Sequence, residues 1–206
     1  MILTRRLAHL YAGLVLFGTS TALQVRAGLG LNSWDVFHQG VSAHTGLSMG
    51  TVVVLASAAV LLLWIPLRER PGLGTVSNVL IVGTVMDLTL RLVPPPAALT
   101  VRIPLLAGSV VLNGIATALY ISARFGPGPR DGLMTGLCRC TGRSTRLVRT
   151  AIEVTVLAAG FLLGGSIGVG TVLYALAVGP LIQFFHRHFA LPEPPAPQAG
   201  APAVAD

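Results

Sequence analysis

A shift of 96 positions lays residues 10–89 of this chain over residues 106–185 without a gap, and 25 of the 80 pairs are identical. Random pairing at so biased a composition would match roughly one in ten. The identities are not merely aliphatic. Glycines coincide at Gly18/Gly114, Gly30/Gly126, Gly40/Gly136, Gly46/Gly142, Gly72/Gly168, Gly74/Gly170 and Gly83/Gly179. Asp35 meets Asp131, Thr45-Gly46 meets Thr141-Gly142, Ser48 meets Ser144, and the Gly-x-Gly-Thr-Val of 72–76 returns at 168–172. Whatever one copy folds into, the other must fold into as well.

Each copy contains three apolar stretches near the ~20 residues that cross a bilayer. They lie at about 8–25, 49–67 and 73–91, then 103–123, 148–165 and 170–186. With 53% hydrophobic and 10% charged residues, the chain falls far below the roughly 25% charge of a soluble domain. A water-soluble enzyme or nucleic-acid-binding domain is excluded on that ground. The first stretch, preceded by Arg5 and Arg6, has the look of a signal peptide. Its recurrence as the fourth stretch makes it part of the fold instead.

Three spans is an odd number, so the second copy enters the membrane upside down relative to the first. The arginines agree. With the N-terminus in the cytoplasm, 11 of the 14 Arg lie inside, and only Arg26, Arg91 and Arg102 lie outside. That is a positive-inside pattern with both termini cytoplasmic. The expectation is an all-α protein of the bacterial cytoplasmic membrane, six transmembrane helices in two inverted three-helix repeats. Its parts are a first repeat at 1–92, a stiff connector at 93–102 around Pro94, Pro95 and Pro96, a second repeat at 103–189, and a disordered Pro/Ala-rich tail at 190–206.

Matched linkers, 26–48 and 122–144, join the first and second spans of each copy. Each begins in Gly-rich irregular backbone. A helix start follows: Asn32, Ser33 or Asp35 in one, Pro129 then Asp131 in the other. Each stops at Thr-Gly, where the glycine suits a left-handed cap. About ten residues of helix would rise about 15 Å, half the hydrocarbon thickness. Such segments either lie flat at the interface or dip into the bilayer and return. In the second case their starts form a midplane site, since irregular backbone at depth is tolerated only where it lines a cavity or is buried.

Candidate binding residues follow from that reading. Asp35 and Asp131 cap the half-helices; Gly30, Gly126, Gly40 and Gly136 allow close backbone approach; Thr45 and Thr141 close the segments. Asp87 lies deep in the third span, with Arg91 at i+4 able to pair with it, and Glu153 lies in the fifth, one turn after Arg149. Acids inside a membrane are costly and mark pathways or relays. His38 and His44 read as interfacial side chains. Arg139, Arg143, Arg146 and Arg149 recur at about one turn, as a stripe against anionic lipid headgroups at the cytoplasmic face would. Gly18/Ala22 and Gly114/Ala118 let helices approach closely. Cys138 and Cys140 lack a second cluster at zinc spacing, so no metal site and no cofactor is expected. No catalytic constellation is present, and an enzyme is not expected.

These motifs carry a resemblance. Gly-x-Gly-x-x-x-x-Asp at 28–35, Thr-Gly-x-Ser at 45–48, Arg-Pro-Gly-Leu-Gly-Thr at 70–75, Gly-Pro-Gly-Pro-Arg-Asp-Gly-Leu-Met-Thr-Gly at 126–136 and Gly-Val-Gly-Thr-Val-Leu-Tyr-Ala at 168–175 resemble the YczE-type bacterial integral membrane proteins, related to the YitT type. The resemblance spans about residues 8–188 and implies a bacterial membrane protein. The leading expectation for function is a small secondary transporter or permease with an unknown small-molecule substrate bound between the repeats. The alternative is a non-transporting membrane scaffold or regulatory partner, and a homo-oligomer suits either. No nucleic-acid partner is expected.

Overall fold

The computed structural model describes residues 2–191. They form eight helices: α1 (Ile2–Ala27), α2 (Ser33–Thr45), α3 (Met49–Leu67), α4 (Leu73–Leu92), α5 (Leu99–Ala123), α6 (Pro129–Thr141), α7 (Thr145–Leu162) and α8 (Val169–Phe189). The last four start where the first four start, within a residue or two of the 96-residue offset. The tail expected from 190 onward lies, beyond Leu191, outside the described residues.

Matched local chemistry sets these boundaries. Ser48 and Ser144 cap α3 and α7, their hydroxyls accepting from the Thr51 and Leu147 N–H groups. Gly46 and Gly142 end α2 and α6 at φ 71° and 64°, a left-handed conformation that costs glycine nothing. Pro129 opens α6 at a position whose N–H would go unused. The half-helices run to 13 residues rather than the expected ten, about 20 Å.

Four helices, α3, α4, α5 and α8, are long and apolar enough to cross a membrane. α1 and α7 form at the expected places but fall short by composition, and their packing explains why. α1 turns Ser20, Thr21 and Gln24 into the protein. α7 carries Arg146, Arg149 and Glu153 within its first half. Exposed large apolar side chains such as Leu62, Leu80, Leu88, Leu176 and Phe184 line the outer faces, a surface that water would not tolerate.

α1 and α5 form the central pair. Gly13 lies against the backbone of Ala116 and Tyr120, and Asn113 Nδ2 donates to Ser20 Oγ at 2.9 Å. α4 leans on α1 at Gly18 and Val85, and α8 leans on α5 at the corresponding Gly114 and Leu181. The half-helices cross over. α2 packs on α7, with Gly40 against Leu163, while α6 packs on α3, with Gly136 against Leu67. The Gly74 N–H donates to the Phe125 carbonyl at 2.8 Å, and the Gly170 N–H to the Leu29 carbonyl at 2.8 Å. The α4–α1 and α5–α8 contacts, the two half-helix contacts and the Gly74 and Gly170 hydrogen bonds are pairs of counterparts at the 96-residue offset.

Where the copies differ, size is exchanged. Trp64, 2% exposed, fills the space left by Gly132 and donates through Nε1 to the Pro129 carbonyl at 3.0 Å. At the matching contact the large and small partners are reversed: Gly160 accommodates the Val36–Phe37 backbone. A methyl group at Gly132 has no room beside the Trp64 ring. Gly132→Ala should therefore lower stability by about 1–3 kcal/mol, seen as a lower Tm in detergent. Gly108→Ala, where an added methyl meets nothing within 4 Å, should leave the Tm unchanged.

Candidate functional site

The starts of α2 and α6 meet. The Arg130 guanidinium lies 4.7 Å from the centre of the Trp34 ring, and these two residues are counterparts at the 96-residue offset. Beside them lies a cavity of about 320 Å³, within the range of small-molecule sites. Counterparts from both copies line it: Trp34 and Arg130, Ser57 and Glu153, Asn78 and Tyr174, Val82 and Val178. Asn32 and Asp131 contribute at the helix starts, Tyr120 comes from α5, and Arg149 and Gln183 come from α7 and α8.

Asp35 and Asp131 occupy equivalent positions and have different surroundings. Asp35 is 1% exposed and locked into its own turn. Asn32 Oδ1 accepts from the Asp35 N–H at 3.1 Å, Asn32 Nδ2 donates to Asp35 Oδ2, and His38 Nδ1 lies 3.1 Å from Asp35 Oδ1. His38, 1% exposed, is thus an internal partner of Asp35 and not the interfacial side chain expected. In the second copy Gly128 replaces Asn32 and Met134 replaces His38. Neither side chain can hold a carboxylate, and Asp131 lines the cavity, where it is accessible.

Of the other candidates, Glu153 lines the cavity as well. Gly30 and Gly126, at φ 113° and 110°, lie against the backbone of Gly168 and Gly72. They make the crossing of the two copies possible and do not line the cavity. Gly40 and Gly136, ten residues on, pack the half-helices against Leu163 and Leu67. Thr45 and Thr141 sit at the exposed far ends of the half-helices, their hydroxyls on the Val41 and Leu137 carbonyls at 2.8 and 2.7 Å. Asp87 lies away from the cavity, at the start of α3, accepting from Ser48 Oγ and from the Gly50 N–H at 2.8 Å rather than pairing with Arg91. The arginine stripe divides. Arg139 pairs with Glu69 at 3.1 Å and donates to the Leu67 carbonyl; Arg143 and Arg146 are exposed; Arg149 lines the cavity.

Arg130, Tyr120, Tyr174, Asn78, Ser57 and Gln183 escaped the sequence reading. Asn78 and Gln183 were visible as polar residues within apolar stretches, but neither is matched by an identical residue in the other copy. Among the described residues, no group of three or more His, Cys, Asp or Glu could hold a metal ion.

The two seams flanking the cavity also differ. α3 packs along α4, touching backbone to backbone at Gly50 and Gly83, with Asp87 bridging the helix ends. α7 and α8 make no comparable contact. Gly179, the counterpart of Gly83, has nothing within 4 Å of where a methyl would stand, and it lines the cavity.

A family model described as a family of unknown function, DUF6198, matches residues 4–187. The chain belongs to this family. It is 39% identical over 181 residues to an uncharacterized protein of Haemophilus influenzae, covering 88% of this chain and 83% of that one. It is 33% identical to the uncharacterized membrane protein YczE of Bacillus subtilis, covering 88% and 86%. It is 28% identical to the uncharacterized protein YyaS of the same organism, covering 86% and 92%. No solved structure matches. The resemblance to YczE-type proteins read from the motifs therefore holds, and with four helices able to span a bilayer this DUF6198 member is a membrane protein.

The two aspartates should respond differently to substitution. Asp35→Ala leaves buried His38 and Asn32 without their acceptor and should cost about 1–3 kcal/mol, measured as a lower Tm. Asp131→Asn should leave the Tm within a degree or so of the parent while removing whatever activity the cavity supports.

Proposed function

We propose that this protein is a small secondary transporter with six membrane spans, built as two inverted three-span halves with both termini in the cytoplasm. The carrying observation is a cavity lined by residues of both copies at their junction, flanked by one packed and one parted seam. In the proposed orientation α3, α4, α5 and α8 span, and so do α1, which buries Ser20, Thr21 and Gln24, and α7, whose Arg149 and Glu153 line the cavity. α2 and α6 dip in from opposite faces. Their starts meet at Trp34 and Arg130, and in this arrangement their ends, Thr45 and Thr141, lie toward opposite faces of the bilayer.

The α7–α8 seam is on the cytoplasmic side of the bilayer in this orientation, and the Asp87 end of the α3–α4 seam is on the outer side. The geometry described is then an inward-open state. Exchanging the arrangements of the two halves, with α3–α4 parted and α7–α8 closed, gives the outward-open state. Breaking the Asp87 bonds to Ser48 and Gly50 is the step that the outer opening requires.

Topology is tested with cysteines at equivalent positions. Cys140 is a free, exposed thiol at the end of α6, and His44 is its counterpart at the end of α2. An impermeant thiol reagent should label Cys140 only in inside-out vesicles. In a variant lacking both native cysteines, His44→Cys should react only from the outside. Labelling of both from one side would overturn the inverted arrangement. The outer latch is tested separately: Asp87→Ala should make Val54→Cys, between α3 and α4, react several-fold faster from the outside.

A further inference from the structure

Four charged side chains face the cavity from one wall. Arg130 and Asp131 are neighbours at the start of α6, and Arg149 and Glu153 stand one turn apart on α7. They lie within electrostatic reach of one another around Asp131. Among the described residues, none of the four is joined to another in an ion pair; the ion pairs found are His38–Asp35 and Arg139–Glu69. Arg130 lies over the Trp34 ring and Asp131 takes a hydrogen bond from the Gly128 backbone, but no ion pair among the described residues consumes these charges, and charges of both signs held open on a cavity wall are available for a ligand to match.

The pattern restricts that ligand. Two guanidinium groups and two carboxylates cancel, so the wall offers no net field to draw in a simple anion or a simple cation. Positive and negative groups alternate along the wall at the spacing of adjacent residues and of one helical turn. A ligand with a single charge would satisfy one of them and leave its neighbour of opposite sign unmatched. A ligand carrying an ammonium close to a carboxylate or phosphate satisfies both. The lining also includes aromatic and apolar groups, Trp34, Tyr120, Tyr174 and Val178, which suit an apolar substituent. The cavity volume of about 320 Å³ is near the lower end for ligand sites and calls for a compact molecule.

We infer that the cavity binds a small water-soluble zwitterion with an apolar side group, of the size and charge pattern of a neutral α-amino acid. This rests on the reading of the cavity as the transport site, and it names the chemical class that the site takes. A zwitterionic lipid headgroup shares the ammonium–anion pair and could reach the cavity between α7 and α8, so the test separates the two sources.

The purified protein is placed in nanodiscs of phosphatidylglycerol alone, and its thermal stability is followed against neutral amino acids with apolar side chains. The N-acetyl derivatives keep only the negative charge, and the methyl esters keep only the positive charge. Stabilisation by at least one free amino acid is expected, with either derivative at least tenfold weaker. Arg149→Gln and Glu153→Gln should each weaken the free amino acid at least tenfold, and Glu153→Gln should also narrow the gap to the methyl ester's rival, the N-acetyl form. Equal binding of a singly charged derivative, or no stabilisation by any free amino acid, would overturn the ligand class. Binding unaltered in both variants would overturn the site. An effect that appears only when phosphatidylethanolamine replaces phosphatidylglycerol would assign the chemistry to a lipid headgroup and overturn the soluble ligand. Uptake into proteoliposomes is measured apart from binding: zwitterion binding without flux would end the transport reading and leave the ligand class standing.

Discussion

The structure depends on how two interruptions of helical backbone are satisfied. Between α1 and α2, and again between α5 and α6, the chain leaves the helix in the interior of the molecule, and carbonyls lose their helical donors. A lipid environment supplies no replacement, and an unpartnered group there costs several kcal/mol. Each break is closed by the other copy: Leu29 by the Gly170 N–H and Phe125 by the Gly74 N–H. That exchange requires backbones in contact, which is why Gly30 faces Gly168 and Gly126 faces Gly72. Each four-helix copy thus takes a backbone donor for its break from the other. The duplicated halves are therefore one folding unit, held together at the place where each is weakest.

Much of this could be read before the structure. Caps and stops obey short-range rules, so Gly46 and Gly142 announced their helix ends and Asn32 was among the starts offered for α2, while Ser48 and Ser144, visible as a matched pair, turn out to cap α3 and α7. The offset itself carried the equivalence of positions. Span count was less direct. The sequence offers six apolar stretches, and four of the helices formed there are long and apolar enough to cross a membrane; α1 and α7 carry more polar residues, of which Ser20, Thr21 and Gln24 on α1 are buried. The fates of Asp35 and Asp131 were hidden by their identity as a matched pair. Their neighbours decide: Asn32 and His38 bury one, while Gly128 and Met134 offer no side-chain partner to the other, which lines the cavity. That signal was in the sequence, three residues to either side, and matching identities drew attention away from it.

The positions at which the copies agree and differ are not scattered. Agreement concentrates where backbones cross: Gly30/Gly126, Gly72/Gly168 and Gly74/Gly170. Difference concentrates around the cavity: Trp34/Arg130, Ser57/Glu153, Asn78/Tyr174 and Val53/Arg149. A crossing tolerates only glycine on either side, so both copies keep it. A cavity on the junction has no such requirement, and one copy has taken most of the charge while the other supplies neutral and apolar groups. The near-symmetric frame thus holds an asymmetric cavity, with its charged lining residues supplied by α6 and α7.

The same divergence sets a balance between the two seams. Asp87 holds α3 to α4 through hydrogen bonds from Ser48 and Gly50, and bonds to a charged acceptor contribute about 1.5–3 kcal/mol each. Its counterpart Gln183 is neutral, and Arg146 replaces the glycine that lets α3 approach α4. Closing α7 on α8 cannot reproduce either feature, which leaves the seam by Asp87 the more stable of the two and the cavity open on the other side. In the proposed cycle the empty protein therefore rests facing the cytoplasm, and the opposite state becomes populated only to the extent that a ligand binds it more tightly. Few bonds separate the states, so the differential binding required is of the order of a few kcal/mol, a gap that one well-matched pair of charges in the cavity is able to close.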